Sequence, residues 1–164
     1  PERGTNVFVC LILRSGGAPP YQPEPMIQLM YSAGLRAPIC FDPVAAATIA
    51  PYQEFKAKLG LEGRAPGEIG PLVAQAYVRG ELPRLDGVAF AYMFSADQDL
   101  DGQGNRFMPH MMVYAPWYTN EDLGANPFGG TLPFVLDDPN TPFTVVTIPV
   151  VGNESVSASQ AGGR

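Results

Sequence analysis

Apolar residues gather in five short runs, a pattern that is typical of β-strands. The first run has seven consecutive apolar residues within 7–14 and ends at the turn-forming residues 14–17. Because this run is apolar on both faces, it predicts a strand in the centre of a sheet. In the run at 87–95, Phe90, Tyr92 and Phe94 share one face, and Ala89, Ala91 and Met93 share the other. The other strand predictions cover 38–41, 110–115 and 143–150.

Between the second and third runs the pattern changes to a helical period. A first helix is predicted over 43–59, and Glu54, Lys56 and Lys58 are expected to turn toward solvent. Its apolar stripe consists of Ile49, Tyr52, Phe55 and Leu59.

Local signals mark the start and the middle of this helix. Asp42 places a side-chain oxygen ahead of Pro43, which predicts an N-cap followed by proline at the first helical position. Pro51 lacks the backbone N–H that a helix interior requires, so it predicts a kink or two consecutive short helices.

A second helix is predicted from about residue 68 to residue 79. Glu68 suits its first turn and Gly80 suits the position just beyond its end. Its apolar stripe consists of Ile69, Leu72, Val73, Ala76 and Tyr77.

The order strand–strand–helix–helix–strand–strand–strand predicts an α+β fold. We expect a mainly antiparallel sheet of about five strands, with the two helices packed on one face and long Pro/Gly-rich loops. Residues 1–151 are predicted to form one domain, and 152–164 a polar C-terminal tail. The long connections are 16–38, the predicted hairpin insert 96–109 and the 27-residue segment 116–142.

Charge and hydropathy exclude several classes of function. The formal net charge is −6 and the sequence pI about 4.6, so the chain lacks the basic surface that nucleic-acid binding requires. No apolar run approaches the roughly 20 residues of a membrane-spanning helix. The chain starts at Pro1 without an initiator Met, which favours a processed or anchored segment upstream.

The two cysteines, Cys10 and Cys40, each lie in an apolar run, and three interpretations stay open. A disulfide between adjacent strands would close a loop of about 30 residues. Two buried free thiols are the second interpretation, because cysteine is often buried. A catalytic thiol is the third, and it would need an electropositive setting that these flanks do not provide.

Alternating acids make 97–102 a candidate calcium loop. The candidate ligands are Asp97, Asp99, Asp101 and Asn105, because oxygens at alternate positions can converge on one hard cation. An EF-hand would place its bidentate glutamate where this chain has Met108. The alternative is a solvated turn, and we expect no cofactor other than this calcium ion.

His110 is the only histidine, which excludes a multi-histidine metal centre. As a general base of a hydrolase it would need a carboxylate partner, and Asp99 and Asp101 are the candidates. The alternative is a hydrogen-bonded histidine at the start of a strand.

Four aromatic residues, Tyr114, Trp117, Tyr118 and Phe128, are candidates for binding a partner protein or a carbohydrate. They lie among Pro, Asn and Gly in the stretch 114–128, which leads into the long 116–142 segment. The alternative is that they pin this segment to the core.

Several phrases resemble a family of uncharacterised exported bacterial proteins, over most of residues 6–150. They are 9–11 (VCL), 36–43 (RAPICFDP), 92–95 (YMFS), 109–112 (PHMM) and 124–126 (GAN). The resemblance implies a bacterial envelope location and paired cysteines, and it brings no activity. Such proteins carry more histidine before the Pro-His step, where this chain has residues 105–108 (NRFM), so a histidine site of that kind would be lost here.

These observations favour a non-catalytic interaction protein outside the cytoplasm, in the bacterial periplasm or at the cell surface. It would serve as an accessory or structural subunit held by protein partners. One alternative is a hydrolase centred on His110 with Asp99 or Asp101. Another is a small-ligand or glycan-binding module that uses Trp117 and Tyr118.

Overall fold

The computed structural model describes residues 2–3, 6–13, 37–93, 109–123, 133–137 and 141–150. The predicted Pro-rich loop, hairpin tip and C-terminal tail lie outside these residues. The described chain contains the strands β1 (Glu2–Arg3), β2 (Val9–Leu13), β3 (Ala37–Phe41), β4 (Ala89–Met93), β5 (His110–Tyr114), β6 (Phe134–Asp137) and β7 (Thr144–Pro149), and the helices α1 (Pro43–Leu61), α2 (Pro66–Val78) and α3 (Asn120–Leu123).

The strands form one sheet in the order β1-β2-β3-β4-β5-β7-β6, and every neighbouring pair is antiparallel. The predicted α+β class and antiparallel sheet are therefore confirmed. The predicted count of about five strands is too low, because the sheet has six strands of four or more residues and the two-residue β1. The four-residue β6 and α3 both fall in the 116–142 segment and are too short to produce a clear period.

The position predicted for β2 is wrong. This strand lies beside the two-residue β1, next to one edge of the sheet, and the side chain of Ile12 is 60% exposed. The run is apolar on both faces because one face joins the core and the other belongs to an apolar surface described below.

One face of the sheet, the core face, joins the buried residues of α1 and α2 in a single hydrophobic core. The strand register assigns alternate residues to this face and the others to the outer face. The core face carries Val9, Leu11, Leu13, Ala37, Ile39, Phe41, Ala89, Ala91, Met93, His110, Met112, Tyr114, Leu136, Val145, Thr147 and Pro149.

Helix α1 is one continuous helix that passes through Pro51, so the prediction of two consecutive helices is wrong. Its predicted start is confirmed, since Asp42 Oδ1 accepts a hydrogen bond from the Ala45 N–H at 2.7 Å. The Asp42 N–H donates to the carbonyl of Phe90 at 2.9 Å. Asp42 therefore caps the helix and also attaches its first turn to β4.

Both long helices end in a Schellman motif. At the end of α2, Gly80 has φ +70°, its N–H donates to the Tyr77 carbonyl, and the Glu81 N–H donates to the Ala76 carbonyl. At the end of α1, Gly63 has φ +80° and occupies the same position. Glycine is favoured there because a Cβ disfavours the left-handed backbone. The predicted role of Gly80 is confirmed.

A cluster of aromatic rings joins the helices to the sheet. The ring of Tyr52 on α1 stacks on Phe143, just ahead of β7, with centroids 4.2 Å apart and planes 15° apart. Tyr77 on α2 lies 6.4 Å from Tyr52, and Tyr114 on β5 lies 5.9 Å from Phe143. Tyr52 thus contacts both the second helix and the sheet.

We predict opposite effects for alanine at two glycines of α2. Gly80→Ala places a Cβ on a left-handed residue and should lower the free energy of unfolding by about 1 kcal/mol. Gly67 lies in the first turn without positive φ, and a Cβ there meets no atom within 4 Å. Gly67→Ala should therefore leave stability unchanged or raise it by up to about 1 kcal/mol. Urea denaturation of both variants provides the measurement, and equal destabilisation by both would contradict the assignment of the cap.

Candidate functional site

Cys10 and Cys40 form a disulfide bond. They lie directly opposite each other on β2 and β3, on the outer face, and both are half-buried. The disulfide interpretation is therefore confirmed, and the interpretations as free thiols and as a catalytic thiol are wrong.

The candidate calcium ligands, Asp97, Asp99, Asp101 and Asn105, lie outside the described residues. Among the residues that the structure does describe, no three His, Cys, Asp or Glu side chains are grouped closely enough to hold a metal ion. Calcium binding by the acidic segment stays a prediction.

His110 is the first residue of β5, opposite Met93 on β4 and Pro149 on β7. Its side chain is buried on the core face. Its proposed catalytic partners Asp99 and Asp101 lie outside the described residues, so the hydrolase hypothesis is untested.

Lys56 is buried, which contradicts the predicted solvent-facing position. Its Nζ donates a hydrogen bond to Tyr52 Oη at 3.1 Å and lies 5.0 Å from the centroid of the Tyr52 ring. Complete burial lowers the pKa of Lys56 from 10.5 to about 7, because the charged amine loses its hydration. The helical period contained this signal, since Lys56 follows the buried Tyr52 by four residues and precedes the buried Leu59 by three.

A second polar side chain of α1, Gln53, is buried one turn before Lys56. Its Oε1 has no hydrogen-bond partner in the described structure. Lys56 and Gln53 make the core around α1 unusually polar, and both side chains are closed to solvent. Lys56 therefore contributes to the pH dependence of stability, and neither side chain offers a surface to a substrate.

The four candidate aromatic residues separate into different environments. Tyr114 belongs to the core, where burial raises the pKa of its phenol and its hydroxyl lies 3.7 Å from Met112 Sδ. Trp117 and Tyr118 are exposed, by 59% and 40%. Phe128 lies outside the described residues. An aromatic contact with a partner therefore rests on Trp117 and Tyr118.

Trp117 occupies a backbone conformation that bulky residues rarely adopt. The Tyr118 N–H donates to the Ala115 carbonyl at 3.3 Å, which closes a four-residue turn with Pro116 at its second position. Trp117, at the third position, has φ +66°. Proline at the second position and a positive φ at the third define a type II turn, which normally carries glycine there. A side chain in this conformation costs about 1 kcal/mol or more.

Hydrogen bonds hold this turn on both sides. Upstream, the Ala115 N–H donates to the Thr144 carbonyl of β7 at 3.2 Å. Downstream, a capping box starts α3: the Asp122 N–H donates to Thr119 Oγ1, and the Thr119 N–H and hydroxyl both donate to Asp122 Oδ2. The hydroxyl bond is the larger cause of the lowered pKa of the Asp122 carboxyl. The turn is therefore fixed between β5 and a capped helix.

The outer face of the sheet is mainly apolar along its longer strands. Two cross-strand rows define it: one runs from Cys10 through Cys40, Tyr92 and Met111 to Ile148, and the other from Phe90 through Val113 and Val146 to Val135. Phe8 packs on Tyr92 with ring centroids 5.3 Å apart. Among the described positions of this face, charged residues occur only on the two edge strands, at Glu2 on β1 and Asp137 on β6. Sequence reasoning grouped Phe90 with Tyr92 but missed the surface, because only the strand register brings the rows together.

Comparisons with protein-family models, curated proteins and solved structures find no match. The resemblance to exported bacterial proteins stays a prediction.

We predict that Lys56 makes the free energy of unfolding rise with pH between about 7 and 9. In this window the unfolded chain holds a proton on Lys56 that the folded state releases, so the slope is positive, up to about 1.4 kcal/mol per pH unit. Below pH 7 both states are protonated and the slope from this group vanishes. Lys56→Met removes the titrating amine. Between pH 7 and pH 9 the free energy of unfolding of wild type should therefore rise by about 2–3 kcal/mol relative to that of this variant.

Lys58→Met is the matched control, because the Lys58 side chain is 73% exposed on the same helix. Its urea-denaturation curves should shift in parallel with wild type at every pH. If the free energies of unfolding of wild type and Lys56→Met differ by the same amount from pH 6 to pH 9, Lys56 does not lose its proton in the folded state and the prediction is contradicted. Tyr77 and Tyr114 contribute little to this slope below pH 9, because an unfolded tyrosine ionises near pH 10 and burial raises the pKa of both phenols further.

We predict that the Cys10→Ala/Cys40→Ala double variant loses about 3–4 kcal/mol of unfolding free energy. The bond spans a sequence separation of 30 residues, and opening it restores the entropy of that loop to the unfolded chain. Wild type and double variant should become equal in dithiothreitol. A difference that persists in the reductant would show that the alanines act through packing.

Proposed function

We propose that this chain is a non-catalytic interaction protein of the bacterial cell envelope, an accessory or structural subunit of a larger protein assembly. The observation that carries the proposal is the apolar outer face of the sheet. In this proposal, both long helices cover the core face and the outer face receives a partner protein.

Exposure of the outer face supports a role in binding. Phe90 is 43% exposed, and Met111 and Ile148 are exposed beside each other on neighbouring strands. Single exposed apolar residues are ordinary, whereas a continuous apolar surface marks an interaction site.

The dimensions of the outer face agree with a protein contact. From β2 to β6 it crosses five inter-strand spacings of about 4.8 Å, and its strands are about five residues long, which gives on the order of 300–400 Å². Apolar patches of this size on monomers are often functional. A standard interface buries about 800 Å² of each partner, so the outer face would be the central part of a larger contact.

The disulfide supports a location outside the cytoplasm. Bonds between cysteines persist in oxidising compartments such as the bacterial periplasm and are rare where thiols are kept reduced. Among the described residues, no helix has the length and hydropathy to cross a membrane. The hydrolase alternative has less support, because its candidate base His110 is buried.

The test combines a photocrosslinker with native mass spectrometry on assemblies isolated from the producing cells. p-Benzoylphenylalanine in place of Phe90 should crosslink to one partner protein in fixed stoichiometry. The same residue in place of Val78, an 88% exposed apolar position on α2, is the control and should not.

We predict that Met111→Glu lowers the recovered assembly at least ~10-fold, because the partner contact would bury a charge. Val78→Glu should leave it unchanged, and both variants should unfold at the same urea concentration as wild type. A free monomer in wild-type preparations would overturn the proposal. Crosslinks only between copies of this chain would replace it with a homo-oligomer.

A further inference from the structure

We propose that the type II turn at Trp117 and Tyr118 is a second contact of the same assembly, which receives an arginine-bearing segment of the partner protein. The inference rests on the proposed function, because its occupant is a protein. Trp117 and Tyr118 follow β5 and belong to neither cross-strand row of the outer face.

The Trp117 side chain is exposed on a strained backbone, which costs free energy. Trp117 takes a left-handed conformation that glycine would adopt without strain. Burial of the ring could offset that cost, but the side chain is 59% exposed. Strained residues that gain nothing for the fold concentrate at binding and catalytic sites. The geometry therefore indicates that the exposed ring itself is useful.

The backbone that carries the Trp117 ring is already fixed in the protein without a partner. Ala115 at the start of the turn is bonded to Thr144, and the Thr119–Asp122 capping box follows directly after the turn. Tyr118 adds a second exposed ring beside the first. A pair of aromatic rings on a fixed backbone loses little entropy when it binds, which is the property of interface anchors.

The charges near the turn favour a positively charged occupant. Residues 109–150 contain four acids and no lysine or arginine. Two of the acids, Glu121 and Asp122, are exposed within five residues of Trp117. A cation is attracted by the face of an indole and by neighbouring carboxylates. Arginine satisfies both, because its planar guanidinium stacks on aromatic rings and pairs with carboxylates through two hydrogen bonds.

Trp117 is the only tryptophan in the chain, so its fluorescence and its indole N–H signal in NMR report on this turn alone. The probe is a blocked pentapeptide with two arginines, and its control carries citrulline, a neutral isostere, at both positions. We expect the arginine peptide to shift the Trp117 signals saturably, and the citrulline peptide to bind at least ~10-fold more weakly. Equal binding of the two peptides, no binding of either, or a saturable shift with chitotriose or maltotriose instead would overturn the proposal.

Two variants separate binding from folding. Glu121→Gln should weaken binding of the arginine peptide about 3–10-fold, because an exposed charge-assisted contact is lost. The thermal midpoint of unfolding should not change. Trp117→Gly should abolish binding of the peptide, measured by calorimetry, while its thermal midpoint stays equal or rises because glycine fits the backbone. A clear fall in the midpoint of Trp117→Gly would assign the ring to the fold and overturn the proposal.

The native assembly distinguishes this inference from the proposed function. If wild type forms the assembly and Trp117→Gly forms it equally well, the turn is not a contact, although the interaction protein stands. If wild type forms no assembly, the proposed function falls and this inference falls with it. Loss of assembly in Trp117→Gly at an unchanged thermal midpoint supports both.

Discussion

The stack of Tyr52 on Phe143 is the contact on which the arrangement of this molecule depends. It joins the middle of α1 to the residue just before β7. Tyr52 also contacts Tyr77 on α2, and Phe143 also contacts Tyr114 on β5. Large aromatic rings contribute more buried apolar surface than any other side chains. The same tyrosine accepts the hydrogen bond of Lys56, so the buried amine is bound to the ring at the centre of the aromatic cluster.

The two faces of the sheet follow from this arrangement. One face is occupied by the core, whereas the other carries apolar rows that the described part of the chain leaves partly exposed. A monomer gains no stability from such rows, because exposed apolar surface remains in contact with water. Their presence, together with a strained and exposed tryptophan, is what distinguishes this chain from an ordinary α+β domain.

Features that depend on neighbouring residues could be predicted from the sequence. The Asp42 cap and the Gly80 terminus need only a side-chain oxygen or a missing Cβ at one position, and the strand runs need only composition and period. Features that depend on distant partners could not. The charge of Lys56 predicts a solvent-exposed side chain, whereas its spacing from Tyr52 predicts a buried one. Only the packing of the folded chain shows that it is buried. The outer face requires the register of six strands, and the φ of Trp117 requires the closed turn.

The disulfide has a consequence for how the chain reaches its fold. Cys10 and Cys40 are direct partners across β2 and β3, so both sulfurs lie on the same side of the sheet. A slip of one residue between these strands would place the sulfurs on opposite sides and exchange the residues that face the core with those that face outward. Strands paired with this slip therefore cannot form the bond. Once formed, the bond holds β2 and β3 in the register that keeps the same side chains facing the core.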